Sequence, residues 1–330
     1  MSVIVKKLPQ VAAILASKIL IFVAYATNKH EIILPTFGAL ITGAWLVPEN
    51  LWHYHKLNLI VSLTLAAVCG LMISRLTGGW DYIVVYPSLY IGFLIAACIL
   101  IFGRTQIYPC FGAMTLPILL RTTSWFYPLS VFCIGVVLIG VQKLLELAGS
   151  RQPLPGGEFP EHRQHRRERL VYYLQTSVGL VPALILVALF DNHWFLLPPL
   201  FVTYATFCNS ESTFTHYPVQ TWGQLVIAAT TGSAAFWLSG KLSEMPVFEM
   251  ADYSVSVSLM VGVAVFVTML WGRLFHRLFP PAVSLAITPF LVQFNPWMPL
   301  CVAVTASYLI FIAWCMRTHP AYKSRDLKYL

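Results

Sequence analysis

Eight apolar runs of span length, at 10–27, 58–74, 83–103, 126–147, 171–190, 221–239, 255–272 and 297–316, occupy this chain from end to end. In water such runs would have to bury one another. In a bilayer, a run of about twenty apolar residues crosses the roughly 30 Å hydrocarbon core as a helix that closes its own backbone hydrogen bonds. Only 10% of the residues are charged, against about a quarter in a soluble globular chain. That deficit decides for the bilayer, and the chain reads as an all-α, polytopic transmembrane helical protein. The first run follows Lys6-Lys7 and lacks a small-residue cleavage site, so it reads as a retained helix rather than a signal peptide.

Between the long runs lie four shorter apolar segments, each opened by proline. Pro35-Thr36-Phe37-Gly38-Ala39-Leu40-Ile41-Thr42 returns as Pro109-Cys110-Phe111-Gly112-Ala113-Met114-Thr115. Looser echoes run from Pro199 to Thr206 and from Pro281 to Thr288. Three of the four carry Thr seven residues after the Pro, two helical turns along one face. The order of long and short segments repeats as well: His53-Tyr54 and His216-Tyr217 lie 163 residues apart, as do Pro35 and Pro198. The small-residue pair Ala66 and Gly70 recurs 162 residues on as Ala228 and Gly232. Small residues four apart let helices approach closely in lipid, so the same packing contact is expected twice. The chain divides into a first membrane repeat, 1–147, a basic linker, 148–170, and a second repeat, 171–330, that ends in a short basic tail. Each repeat holds four long spans and two short Pro/Gly-interrupted segments.

The net charge of +8 sits in a few loops. Lys6-Lys7, the linker bases Arg151, Arg163, Arg166, Arg167 and Arg169, and the tail from Arg317 through Lys323, Arg325 and Lys328 are expected on the cytoplasmic side of a cell membrane. That pattern orients a membrane protein and gives no reason to expect nucleic acid. Each half then crosses an even number of times. Either the short segments cross, giving six spans per half, or they dip in and return, giving four spans and two re-entrant pieces. Six is favoured, because it puts Lys56, Arg104, Arg273 and Arg277 inside and Glu244, Glu249 and Asp252 outside. It also makes the two three-element units of each half antiparallel, as in many secondary transporters.

The short segments of the chain resemble the signature of the HPP family of integral membrane proteins, in one-letter form close to T-L-H-P-P-A-G-A-T-A-L. The resembling stretches are Arg277-Leu278-Phe279-Pro280-Pro281-Ala282-Val283-Ser284-Leu285-Ala286-Ile287 and Tyr108-Pro109-Cys110-Phe111-Gly112-Ala113-Met114-Thr115-Leu116. An upstream family motif, F-G-A-S-A-V, is similar to Phe37-Gly38-Ala39 and, more loosely, to the stretch from Phe201 to Gly223. The resemblance implies a tandem duplication of an HPP-like unit and, because some members are associated with nitrite transport, a small-anion permease. The signature His is Phe279 in one half and Tyr108 in the other, so no role of that His carries over.

The residues point to the same place on physical grounds. Proline at the first turn of a helix suits a position whose N–H would be unpaired, and the N–H groups that follow offer a positive end to an anion or polar solute. The substrate-path candidates are therefore Pro35, Gly38, Thr42, Pro109, Gly112, Thr115, Pro199, Thr206, Pro281 and Thr288. The plainer alternative is that the segments are Pro-kinked packing elements and that each Thr bonds its own helix backbone. Lys18 is the one ionisable residue deep in a span; it either balances an anionic solute or snorkels to the headgroups. Glu49, Asn50, His53 and His55, with Asn209, Ser210, Glu211 and His216, form interfacial clusters without tight metal-ligand spacing. Arg75, Arg121, Lys143 and Glu146 read as anchors at span ends, and residues such as Trp52, Trp80, Trp125, Trp194 and Trp297 as interfacial belts. The seven cysteines show no CxxC spacing and read as buried small hydrophobes.

The expected function is a transporter or channel for a small solute, with a small anion such as nitrite in view. Its partners are the lipid bilayer and the solute, and a homo-oligomer is left open. No catalytic residue, metal or cofactor is expected. The alternative is a membrane-embedded enzyme, or a subunit of a membrane complex acting on lipid or redox carriers. No HExxH motif, paired intramembrane carboxylates or His pair within a span speaks for it.

Overall fold

Where the sequence is apolar, the chain is helical. The computed structural model describes residues 3–34, 36–47, 56–78, 84–103, 105–151, 166–190, 193–209, 212–244, 253–292 and 295–318, and these contain helices and no strand. The long helices are α1 (Val3–Ala26), α3 (Lys56–Thr77), α4 (Val85–Phe102), α6 (Phe126–Leu147), α7 (Arg166–Phe190), α9 (Pro218–Ser243), α10 (Tyr253–Leu274) and α12 (Met298–Thr318). The short ones are α2 (Phe37–Trp45), α5 (Pro109–Leu119), α8 (Pro198–Cys208) and α11 (Pro280–Ile287), the last prolonged by a 3-10 turn over Thr288–Phe290.

Seven of the long helices are apolar enough over sufficient length to cross a bilayer. The eighth, α9, has the length, but Gln220, Thr221, Gln224, Thr230, Thr231 and Ser233 dilute its apolar run. Boundaries also differ from expectation at α7. It begins at Arg166, inside the stretch read as linker; arginine is a good helix former, so the helix continues past its apolar part into the basic sequence. The remaining linker residues 152–165, the loop 48–55, the tail from 319, and Pro35 lie outside the described residues.

The long helices are apolar on the outside. Ile19, Val61, Val137, Phe266 and Phe311 are all more than half or close to half exposed. A soluble protein rarely leaves such a continuous apolar surface bare, whereas a lipid-facing belt requires it.

Inside that belt the long helices carry the short ones. Helix α3 packs on α4, α5 and α6, and α9 on α10, α11 and α12; α4 meets α7, and α10 meets α1. Small residues set the closest approaches. Ala66 and Gly70 are buried, and Gly70 lies directly against the carbonyl of Met114 in α5. Ala228 and Gly232 are buried too, and Gly232 lies directly against the carbonyl of Ala286 in α11. A β-carbon at either glycine would overlap a backbone oxygen.

Side-chain contacts tie the helix ends together. At one end Lys29 sits 3.6 Å over the Phe126 ring, and the Arg75 guanidinium sits 4.9 Å over Trp125 while donating to the Thr123 carbonyl at 2.6 and 2.9 Å. There too, the Tyr25 hydroxyl donates to the Phe290 carbonyl at 2.9 Å and its ring meets Tyr253 edge-on. Other contacts join Lys56 to Glu146 at 3.0 Å, Asn58 to the Gly103 carbonyl at 3.3 Å, Arg273 to Gln10, and Arg277 to the Tyr217 ring at 4.5 Å.

Candidate functional site

The four short helices meet at the centre. Helix α2 packs on α11, α11 on α8, and α8 on α5, while Thr36 at the start of α2 touches Gly112 of α5 and closes the circuit. Every residue of α2 and α11 is buried, and in α5 and α8 only Leu119 and Thr206 are partly exposed. At 1.5 Å per residue these helices are about 12–17 Å long, roughly half the hydrocarbon thickness.

Prolines start three of them, and they consume the donors that a free helix start would offer. Pro198-Pro199 and Pro280-Pro281 have no N–H, and the next amides fold back: Leu200 donates to the Leu197 carbonyl at 2.8 Å and Ala282 to the Phe279 carbonyl at 3.0 Å. In α5 the Cys110 and Phe111 amides donate to the carbonyls of Ile107 and Tyr108 at 3.0 and 2.9 Å. The first turns of α5, α8 and α11 are therefore self-capped, not open anion cradles. In α2 the Ala39 N–H donates 2.6 Å to the Ser284 hydroxyl of α11. That cap comes from another helix 245 residues along the chain.

Glycine makes that cap reachable. A β-carbon on Gly38 would sit 2.6 Å from the Ser284 nitrogen and 2.7 Å from the Val283 carbonyl carbon. Gly112 gives the same clearance to the Thr36 methyl. The two glycines picked out in the sequence thus admit backbone and a side chain of this protein.

The threonines divide into two groups. Thr115, Thr206 and Thr288 donate to the carbonyls of Phe111, Val202 and Ser284 one turn back at 2.7–2.9 Å. These three follow the plainer alternative. Thr42 does not: its hydroxyl is fully buried and makes no hydrogen bond, although Gly38 stands one turn back. Thr36 is likewise fully buried with an unbonded hydroxyl. Thr42 lies on the Gly38 side of α2 and Thr36 beside Gly112, so both hydroxyls belong to the contacts of α2 with α11 and α5.

Lys18 lies along α10. Its Cγ and Cδ occupy the space that a Gly262 side chain would fill, 2.9 and 2.8 Å from the position of a β-carbon there, and its carbonyl accepts from Ser258 at 3.0 Å. No acidic side chain among the described residues pairs with its ammonium. Pro109, Pro199 and Pro281 are buried at their helix starts. Glu49, Asn50, His53, His55, Ser210 and Glu211 fall outside the described residues. Asn209 donates to the Tyr108 hydroxyl at 2.9 Å and so ties the end of α8 to the start of α5. Phe279, at the other signature position, is fully buried against Phe214 and Phe207, with ring centroids 4.8 and 6.3 Å away. Among the described residues no three of His, Cys, Asp and Glu are grouped to hold a metal.

Sequence reasoning missed Ser284, Thr36 and Gln224. Gln224, buried in α9, donates 2.8 Å to the Arg277 carbonyl and accepts 2.9 Å from the Phe279 N–H, which clamps the turn that launches α11. Gln224→Leu strands both groups. It is expected to cost about 2 kcal/mol, read as a lower melting temperature of the purified protein; an unchanged Tm would show the clamp to be idle.

Comparison of the chain with known protein families, characterised proteins and solved structures finds no match.

Proposed function

We propose that this protein is a membrane transporter or channel for a small solute, with the path running between α2, α5 and α11. One observation carries the reading: the Thr36 and Thr42 hydroxyls are buried and unbonded at the contacts where Gly38 and Gly112 bring the short helices closest. A buried hydroxyl without a partner costs about 1–3 kcal/mol. Thr115, Thr203, Thr206 and Thr288 avoid that cost by bonding their own helix. Hydroxyls held back from such bonds are available to a solute. Because the other helix starts are self-capped, the reading moves from helix dipoles to these side chains.

The packing supports the two-repeat architecture. The contacts of α3 with α4, α5 and α6 are matched by those of α9 with α10, α11 and α12. Those of α5 with α8 and α4 with α7 are matched by α11 with α2 and α10 with α1. The tied ends support six crossings per half. Lys29 and Phe126 share one end, Lys56 and Glu146 share the other, and α3 runs between them, so α2 joins opposite ends of the bundle. The same logic carries α5 from Gly103, beside Asn58, to Thr123, beside Arg75. Short helices in opposed pairs near the middle of a bundle are where many transporters bind solute. The HPP resemblance adds the anion, nitrite being the first to try, and the free ammonium of Lys18 would serve its charge. With N-terminus, linker and tail cytoplasmic, the basic loops obey the positive-inside rule.

The test is flux into proteoliposomes of nitrite, nitrate, formate and a neutral solute, with wild type, Lys18→Gln and protein-free vesicles. Flux of one anion above the protein-free rate, lowered in Lys18→Gln at equal folded protein, is expected. No flux of any solute would sink the proposal.

A further inference from the structure

A second polar site lies where α6 ends beside the start of α3. The chain leaves α6 through Gly149 in the left-handed region, φ 67°, with the Ala148, Gly149 and Ser150 amides bonded back to the Leu144, Glu146 and Leu145 carbonyls. That turn delivers Arg151 onto Glu146. The Glu146 carboxylate is already well held, by Lys56 at 3.0 Å and by the Gln142 amide at 2.9 Å. Arg151 reaches it only as an ion pair at 3.6 Å, too long for a hydrogen bond. Its side chain is 5% exposed, and both terminal nitrogens are buried without a hydrogen-bond partner. Burial pulls the guanidinium below its ordinary pKa, with Glu146 opposing.

Among the described residues charge does not balance here: two cations, Lys56 and Arg151, meet one carboxylate. A buried guanidinium with idle donors is expensive unless an anion completes it. The surroundings say which kind. Leu57, Leu144 and Leu147 flank Lys56 and Glu146 at 77%, 64% and 76% exposure, so the surplus positive charge stands at the edge of an apolar, lipid-facing surface. A free inorganic anion has no use for those leucines. A molecule with a phosphate at one end and acyl chains at the other fits both.

We propose that the α3–α6 corner binds the phosphate of an anionic phospholipid, with Lys56 and Arg151 holding its oxygens and Leu57, Leu144 and Leu147 lying along its chains. Lys56, 39% exposed, receives the headgroup first. The planar fork of Arg151 then turns from its long ion pair to two phosphate oxygens. Glu146 keeps Gln142 throughout, so the corner stays closed. Basic pockets between membrane helices bind anionic headgroups in this manner.

The experiment uses the full chain in a neutral detergent and reads its melting temperature with phosphatidylglycerol, phosphatidylcholine or inorganic phosphate added. Phosphatidylglycerol is expected to raise wild-type Tm by about 3 °C or more at saturation, and the other two to leave it near the lipid-free value. Arg151→Met is expected to melt higher than wild type without lipid, because a buried charge whose terminal donors make no hydrogen bond has gone, and to lose the response to phosphatidylglycerol. Lys56→Gln is expected to need at least about ten-fold more lipid for the same shift, the loss of one charged hydrogen bond. An equal response to phosphatidylcholine overturns the proposal, and so does an Arg151→Met protein that responds like wild type. A response to inorganic phosphate as large as that to the lipid overturns it in favour of a free anion. Should Arg151→Met fail to fold, Lys56→Gln decides alone, and an unchanged lipid response in it overturns the proposal.

Discussion

Thr42→Val is expected to make this protein more stable and, on the transport reading proposed above, to cut its flux. Valine keeps the shape of threonine and replaces the hydroxyl by a methyl group. The Thr42 hydroxyl is fully buried and bonded to nothing, so removing it relieves a desolvation cost of about 1–3 kcal/mol. Purified Thr42→Val should therefore melt above wild type. In flux measurements the same variant should fall at least about ten-fold, the loss of one hydrogen bond to a solute in a dry site. Residues kept at a cost in stability are the mark of a functional position. Thr115→Val supplies the contrast. Its hydroxyl bonds the Phe111 carbonyl at 2.8 Å, so it should lose a little stability, about 1 kcal/mol or less, and keep its flux. A Thr42→Val protein that melts below wild type, or that carries solute at the wild-type rate, would return α2 to the packing reading.

The division between Thr42 and Thr115 also shows what the sequence could and could not disclose. Recurrence after the prolines singled out four threonines as equivalents, three of them at the same spacing. It could not show which hydroxyls would turn back on their own helix, since that depends on the neighbour across the contact. Ser284 illustrates the difference from the other side. In the sequence it is a small residue in an apolar segment; in the fold it caps the Ala39 amide of a helix 245 residues away. The element order was legible because hydropathy is a local property that a bilayer enforces. The boundary at Arg166 was not, because helix propensity there outran hydropathy. Arg151 looked like one more linker base, and only the turn at Gly149 folds it under Glu146.

Gly70→Ala and Gly232→Ala should fail alike. Each places a methyl group against a backbone carbonyl, Met114 in the first case and Ala286 in the second. A side chain could rotate away from such a clash, but a carbonyl in a helix cannot move without its helix. Alanine is the better helix former by about 1 kcal/mol, yet overpacking a close contact costs about 1–3 kcal/mol and can cost more. Here the overlap is with main chain, so the upper part of that range applies and the net expectation is a loss of about 2 kcal/mol. Gly140 and Gly240 give the control, since a β-carbon at either meets nothing within 4 Å. Gly140→Ala and Gly240→Ala should be neutral or stabilising by up to about 1 kcal/mol. Melting temperatures in one detergent, with size-exclusion profiles to confirm folded protein, separate the four variants. If Gly70→Ala and Gly232→Ala lie within about 1 kcal/mol of each other, their contacts contribute equally, as expected of small-residue contacts that set helix approach in lipid. If either behaves like Gly140→Ala, the approach of α3 to α5, or of α9 to α11, is loose enough to absorb a methyl group, and the short helices are not held where Thr36 and Thr42 need them.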